Sequence, residues 1–296
     1  MKQDTFGTYH PIINFGFFCI IIIFSMIFMH PAFLVISFIG SFMYAIYIKG
    51  KKALKFFLCL PLPMMAVAAA VNPLFNHQGV TILGYLNDNP VTMESIAYGI
   101  ATGLMFSAVI MWFYCYNEIM TSDKSMYIFG RAIPSISLMI SMALRFIPRF
   151  AAQTKLVAKA QRCIGRDTSS GKVFAKIKQG MKILSIMVTW SLENAIDTAD
   201  SMRSRGYGSK GRTSYSNYRF DSRDRTAGML IAAFTAVIIA GAAAGYNTAV
   251  YFPVMEIQGG GAELAVLSAV YAILCLMPVI AGAKEDMKWR HLKSEI

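Results

Sequence analysis

The sequence predicts an all-α, polytopic integral membrane protein with about six membrane-spanning helices and an amphipathic helical region between the fourth span and the fifth. Two observations carry this. Of the 296 residues, 56% are apolar and only 15% charged, with a mean hydropathy of +0.50, whereas a soluble domain carries about 25% charged residues. The shortfall is local: apolar stretches long enough to cross a bilayer alternate with short polar turns. A soluble globular enzyme, a disordered chain and a disulfide-stapled secreted module are thereby excluded.

Six runs pass the length test, over residues 12–29, 32–48, 54–71, 96–116, 227–246 and 264–283. The third contains Pro61 and Pro63, which kink or break a helix unless neighbours satisfy the freed carbonyls. Lys2 precedes the first run, but no small-residue cleavage pattern follows it, so the run reads as a retained span. Cys19, Cys59, Cys115, Cys163 and Cys275 lie far apart and form no C-x-x-C pair. That spacing argues against a zinc or iron–sulfur site, and four of the five sit in apolar runs as small hydrophobes. His10, His30, His77 and His291 are equally scattered.

Positive charge sets orientation, because cytoplasmic loops collect Lys and Arg. With both termini in the cytoplasm, the outer segments are 30–31, 72–95 and 247–263, and none holds a Lys or Arg. All 28 basic residues then fall on the inner side. The organisation expected is an N-terminal set of transmembrane helices over 1–124, a cytoplasmic amphipathic region over 125–225, and C-terminal transmembrane helices over 226–296.

Residues 145–225 hold seventeen basic side chains against six acidic ones, so the strongly basic character belongs to this one region. Nucleic acid is a poor partner for it, since aromatic stacking platforms are missing and the region is tethered to a membrane. Anionic lipid headgroups or the acidic surface of a protein partner suit it better. The preceding stretch, 125–150, is apolar but holds Arg131, Pro134, Arg145 and Pro148, and is expected to lean into the interface or pack beneath the bundle. Lys155, Lys159, Arg162 and Arg166 then recur at helical spacing as one basic stripe. A turn signal over 166–171 breaks that helix. A second helix starts near Lys172, with Phe174, Ile177, Met181, Leu184 and Met187/Val188 as an apolar stripe and Lys172, Lys176, Gln179 and Lys182 opposite. It runs on through Leu192, Ile196, Ala199 and Met202, where Gly206 suits the C′ position and Gly208 ends any remaining helix. The bland reading is an interfacial helix pair adhering to anionic lipid. A helix ending in exposed arginines just before glycines is more than lipid contact requires.

Chemistry-bearing motifs are sparse. The stretch from Gly165 through Gly171-Lys172-Val173 imitates a phosphate-binding loop. It has one residue too many between the glycines, and Val173 stands where a Mg²⁺-binding hydroxyl is needed. Glu193, Asn194, Asp197 and Asp200 suggest the aspartate-rich motifs that hold Mg²⁺-diphosphate in membrane prenyltransferases, but no second such cluster occurs. A surface acidic face is the simpler reading. No Ser/His/Asp or Cys/His arrangement emerges, so catalytic, cofactor and metal sites are expected to be absent, and the chain reads as a scaffold.

Several stretches resemble the transmembrane T component of energy-coupling factor (ECF) transporters, of the EcfT/CbiQ type. They are Ala143-Leu144-Arg145-Phe146-Ile147-Pro148; Ala160-Gln161-Arg162 leading into Cys163-Ile164-Gly165; and Asp200-Ser201-Met202-Arg203-Ser204-Arg205-Gly206-Tyr207-Gly208. Asn72-Pro73-Leu74-Phe75 with Gly79 and Thr92, and Arg212, Arg219 and Asp224, extend the likeness to nearly the whole chain. The resemblance implies a coupling subunit of an ABC-type importer in the plasma membrane of a prokaryote. Its partners would be two cytosolic ABC-type ATPases and a membrane-embedded S component that captures a vitamin or metal ion, and its own role would not be catalytic. The ATPase-coupling motifs would be Ser204-Arg205-Gly206 and the segment Arg162-Cys163-Ile164-Gly165-Arg166. In the latter the family's central arginine falls on Ile164, with Arg162 and Arg166 flanking it. The alternative is a Mg²⁺-dependent prenyl-diphosphate enzyme using Asp197 and Asp200.

Overall fold

The computed structural model describes residues 5–86, 89–132, 134–165, 173–209, 218–257 and 261–294. The chain divides into two compact units, one made of residues 1–125 and 218–296 and the other of residues 126–217.

In the first unit the apolar runs become helices α1 (Pro11–Ile27), α2 (Pro31–Lys49), α3 (Lys51–Cys59), α4 (Pro61–Phe75), α5 (Met93–Ile119), α9 (Ser222–Ala243) and α10 (Ala262–Ser294). Two His-Pro pairs start the first two. His10 and His30 are N-caps whose imidazole Nδ1 atoms accept from the Ile12 and Ala32 backbone N–H groups at 3.3 and 3.2 Å, and each is followed by proline at a helix-opening position. Proline suits that position because its missing N–H would have no partner there. Two of the four histidines that look scattered in the sequence are thus helix starters.

The proline-bearing third run breaks where Pro61 requires. Leu60 leaves the helical region between α3 and α4, as the residue before a proline tends to do, and Pro63 is accommodated within the first turn of α4. The combined stretch Lys51–Phe75 and helices α2, α5, α9 and α10 are long and apolar enough to cross a membrane. The 17-residue helix α1 is shorter, about 26 Å long at 1.5 Å per residue, near the lower limit for a span. Two short antiparallel hairpins break the all-helical pattern: β1 (Ile82–Leu86) with β2 (Asn89–Thr92), and β3 (Ala249–Val250) with β4 (Glu256–Ile257). Hydropathy gave no hint of either.

The bundle's core is aromatic, with Trp112, Tyr44, Tyr271, Phe17 and Phe18 fully buried. A polar knot sits inside it. Trp112 Nε1 donates to Ser37 Oγ at 3.0 Å, Ser37 Oγ bonds Ser25 Oγ, and the Tyr271 hydroxyl lies 3.3 Å from Ser25 Oγ. Helices α1, α2, α5 and α10 are joined through these atoms, and such bonds fix partners where apolar lipid supplies no preference among helices.

Small residues set the closest approach. Gly99 and Gly103 form a small-xxx-small face on α5, and a Cβ on Gly103 would stand 2.9 Å from the Met65 carbonyl oxygen and 3.2 Å from Met65 Cα of α4.

The N-terminal segment fastens the chain where it leaves and re-enters this unit. Lys124 Nζ donates to the Gly7 and Ile119 carbonyls. Buried Asp224 accepts from the His10 N–H through Oδ1 and the Asp221 N–H through Oδ2, both at 3.1 Å. Arg223 reaches Thr8 Oγ1 at 2.9 Å and lies over the Tyr9 ring at 4.5 Å.

Replacing Gly103 by Leu will force α4 and α5 apart and lower stability by about 1–3 kcal/mol. The check is a depressed thermal midpoint of the purified protein in detergent. Gly180→Ala, at a helical site with nothing within 4 Å, should leave the midpoint unchanged or raise it slightly.

Candidate functional site

The second unit is built on α7 (Pro134–Cys163) and α8 (Val173–Ser204), preceded by α6 (Ser122–Ala132), which starts in the first unit. The two long helices pack through Val157 of α7 against Ile183 and Met187 of α8, with Phe150, Ala158 and Trp190 beside them. The Phe150 and Trp190 rings meet edge-on at 5.5 Å, and the Arg149 guanidinium lies 5.6 Å from the Trp190 ring centre. Phe150 and Trp190 therefore pack on each other, and Trp190 on an arginine. Contacts proceed in opposite chain directions along the two helices, so they form an antiparallel pair.

The stripe of Phe174, Ile177, Met181, Leu184 and Val188 is largely exposed, as are Leu192 and Ile196 farther along α8. Ile183 and Met187 are the residues α8 buries. Periodicity locates an apolar face but does not say which of two adjoining faces a partner helix takes.

Both helices end at a left-handed glycine. At the end of α8, the Gly206 N–H donates to the Arg203 carbonyl at 2.9 Å and the Tyr207 N–H to the Met202 carbonyl at 3.0 Å. Gly206 has φ +78°. This is the Schellman arrangement, which needs a left-handed residue at C′ and so favours glycine. Arg205 is the last residue before the reversal and its side chain is exposed. Ser204 Oγ turns inward and donates to the Ser201 carbonyl at 2.9 Å.

At the end of α7, the Gly165 N–H donates to the Arg162 carbonyl at 3.0 Å, and Gly165 has φ +75°. Ile164 therefore holds the position that Arg205 holds on α8, and it is 65% exposed. Arg162 and Cys163 are exposed as well. Arg166 and Arg212 lie outside the described residues.

At the other end of the pair, a groove of about 600 Å³ opens between the helices, lined by Arg145, Arg149, Phe146, Asp197, Met202 and Arg205 among others. Sequence reasoning singled out Arg145 and Arg205 separately and gave no reason to join them. The available signal was the i, i+4 spacing of Arg145 and Arg149, which puts both on one face of α7. Asp197 belongs to this mostly basic lining. Among the described residues no three His, Cys, Asp or Glu side chains gather as a metal site would require.

A chain of bilayer-length apolar helices interrupted by a basic pair of amphipathic helices has the form of a polytopic membrane protein. Residues 12–215 match the family model described as Cobalt transport protein, CbiQ, and the chain belongs to that family. It is 36% identical over 108 residues to the energy-coupling factor transporter transmembrane protein EcfT of Lactococcus lactis, covering 36% of this chain and 41% of the relative. The EcfT of Lactobacillus helveticus is 42% identical over 93 residues, 31% of this chain and 34% of the relative. An EcfT of Listeria monocytogenes is 35% identical over 108 residues. The chain spans about two-fifths or less of the length of these relatives. Together the matches make it a transporter T component of the EcfT/CbiQ type.

Gly206→Val should unmake the α8 ending, because a left-handed conformation costs a branched residue about 1–2 kcal/mol. Hydrogen–deuterium exchange at the amides of residues 206 and 207 will then be faster by about tenfold.

Proposed function

We propose that this T component transmits ATP-driven motion of two cytosolic ATPase subunits to a membrane-embedded S component, for uptake of a vitamin or metal ion into a prokaryotic cell. Both termini and the basic unit face the cytoplasm in this reading. The chain contributes no catalysis of its own, and hydrolysis belongs to the ATPases. The coupling residues are Ser204, Arg205 and Gly206 at the end of α8, and Arg162, Cys163, Ile164, Gly165 and Arg166 at the end of α7.

The observation that carries the proposal is the pair of matched helix endings at opposite ends of an antiparallel pair. Some 15 to 26 residues of α7 separate the groove's lining, Leu138 to Arg149, from Ile164, which is roughly 22–39 Å at 1.5 Å per residue. Two protruding side chains at that separation suit two ATPases. An arginine there can bind a carboxylate through two parallel hydrogen bonds, which lysine does not reproduce. The exposed apolar stripe of α8 is the face this reading gives to the S component. The prenyl-diphosphate alternative is not favoured: membership of a transporter family gives no support to Asp197 and Asp200 as metal ligands.

The test is co-purification of the ATPases with the tagged chain, together with ATP-driven uptake in vesicles. Arg205→Ala should reduce capture at least about tenfold and Arg205→Lys should restore only part of it. Ile164→Ala should change capture less than twofold. Undiminished capture and uptake by Arg205→Ala would leave Arg205 only its interaction with the negative helix end, worth about 0.3–1 kcal/mol.

A further inference from the structure

The groove at the Arg205 end of the α7–α8 pair holds more positive charge than its own lining answers. Three arginines, Arg145, Arg149 and Arg205, face a single carboxylate, that of Asp197. Arg149 is occupied by the Trp190 ring. The Arg145 and Arg205 side chains make no hydrogen bond, ion pair or ring contact among the described residues, and both are exposed. They come from different helices, Arg145 from the middle of α7 and Arg205 from the end of α8. The rest of the lining is mixed, with apolar Leu138, Met142, Phe146 and Met202 beside polar Asn194 and Ser201.

We infer that this groove is a two-walled receptor for one acidic side chain of the docked ATPase, and that Arg145 is a docking residue equal in weight to Arg205. The inference rests on the ATPase-docking reading above and adds the shape and chemistry of what enters. A guanidinium from each helix closes on the same carboxylate, so the partner's acid ties the two helices together where no hydrophobic core joins them. The apolar part of the lining receives the side chains that flank the acid. Asp197 argues for a polypeptide over an anionic lipid. Asp197 repels a phosphodiester and a carboxylate alike, each carrying one negative charge, but a protein segment can also offer Asp197 a donor such as a backbone N–H, which the phosphodiester group lacks.

Two guanidiniums acting on one acid form a unit, and residues that share a partner give non-additive losses. The experiment uses the full chain in nanodiscs with purified ATPase subunits added in known amounts. Arg145→Ala should lower capture about as much as Arg205→Ala, each at least about tenfold, and the double variant should be within about twofold of either single. Asp197→Asn, which raises the groove's net charge, should let capture survive higher salt. All three substitutions are at exposed positions, and an unchanged thermal midpoint in detergent shows that the fold is intact.

Full capture by Arg145→Ala, losses that multiply in the double variant, or weaker capture by Asp197→Asn would each overturn the receptor. So would an Arg145→Ala defect present in phosphatidylglycerol nanodiscs and absent in phosphatidylcholine, because that would make the ligand a lipid headgroup. If the wild-type chain captures no ATPase at all, it is the docking reading that fails.

Discussion

A left-handed turn at glycine is what everything at the proposed coupling surface depends on. Gly206 and Gly165 reverse the chain at φ +78° and +75°, a conformation that costs other residues a steric penalty against the following carbonyl. Because the backbone turns away at that point, the residue just before it projects from the end of the helix. On α8 that residue is Arg205 and on α7 it is Ile164. The same geometry at the two ends therefore presents a charge at one and an apolar side chain at the other. This difference gives the proposed coupling its asymmetry: a charge that can hydrogen-bond a partner at the Arg205 end, and at the other an apolar side chain whose truncation is expected to matter little.

The bundle in the other unit follows a different logic. In a bilayer the hydrophobic effect does not choose which helices pair, so specificity falls to close packing and to the few polar atoms that must be satisfied. The Trp112–Ser37–Ser25–Tyr271 knot and the Gly103 approach to α4 are those two devices. The N-terminal segment bonds both to Lys124, where the chain departs, and to Asp224, shortly after it returns. That clasp brings the two roots of the inserted segment onto one short stretch of backbone.

Much of this was legible in the residues alone. Bilayer-length apolar runs are a one-dimensional signal, and the break at Pro61 follows from a missing N–H, so helices α2 to α5 and the later α9 and α10 could be placed from composition and proline chemistry. The C′ role of Gly206 was equally local. What could not be seen were features set by partners distant in sequence. His10 and His30 read as isolated imidazoles until each is found bonding the backbone two residues ahead. Of the stripe that periodicity picks out on α8, only Met187 is buried, together with Ile183 on the adjoining face, and the position of Val157 decides this. The groove joins Arg145 to Arg205 across sixty residues of chain. The strands around Ile82 and Asn89 are too short and too mixed in hydropathy to announce themselves.

The most direct test of the account is site-specific photo-crosslinking in the assembled transporter, with a photoreactive residue introduced at position 205 and adducts identified by mass spectrometry. The account predicts adducts with an ATPase subunit, mapping to a segment that carries an acidic residue. Adducts confined to lipid or to the S component, with none on an ATPase, would contradict it.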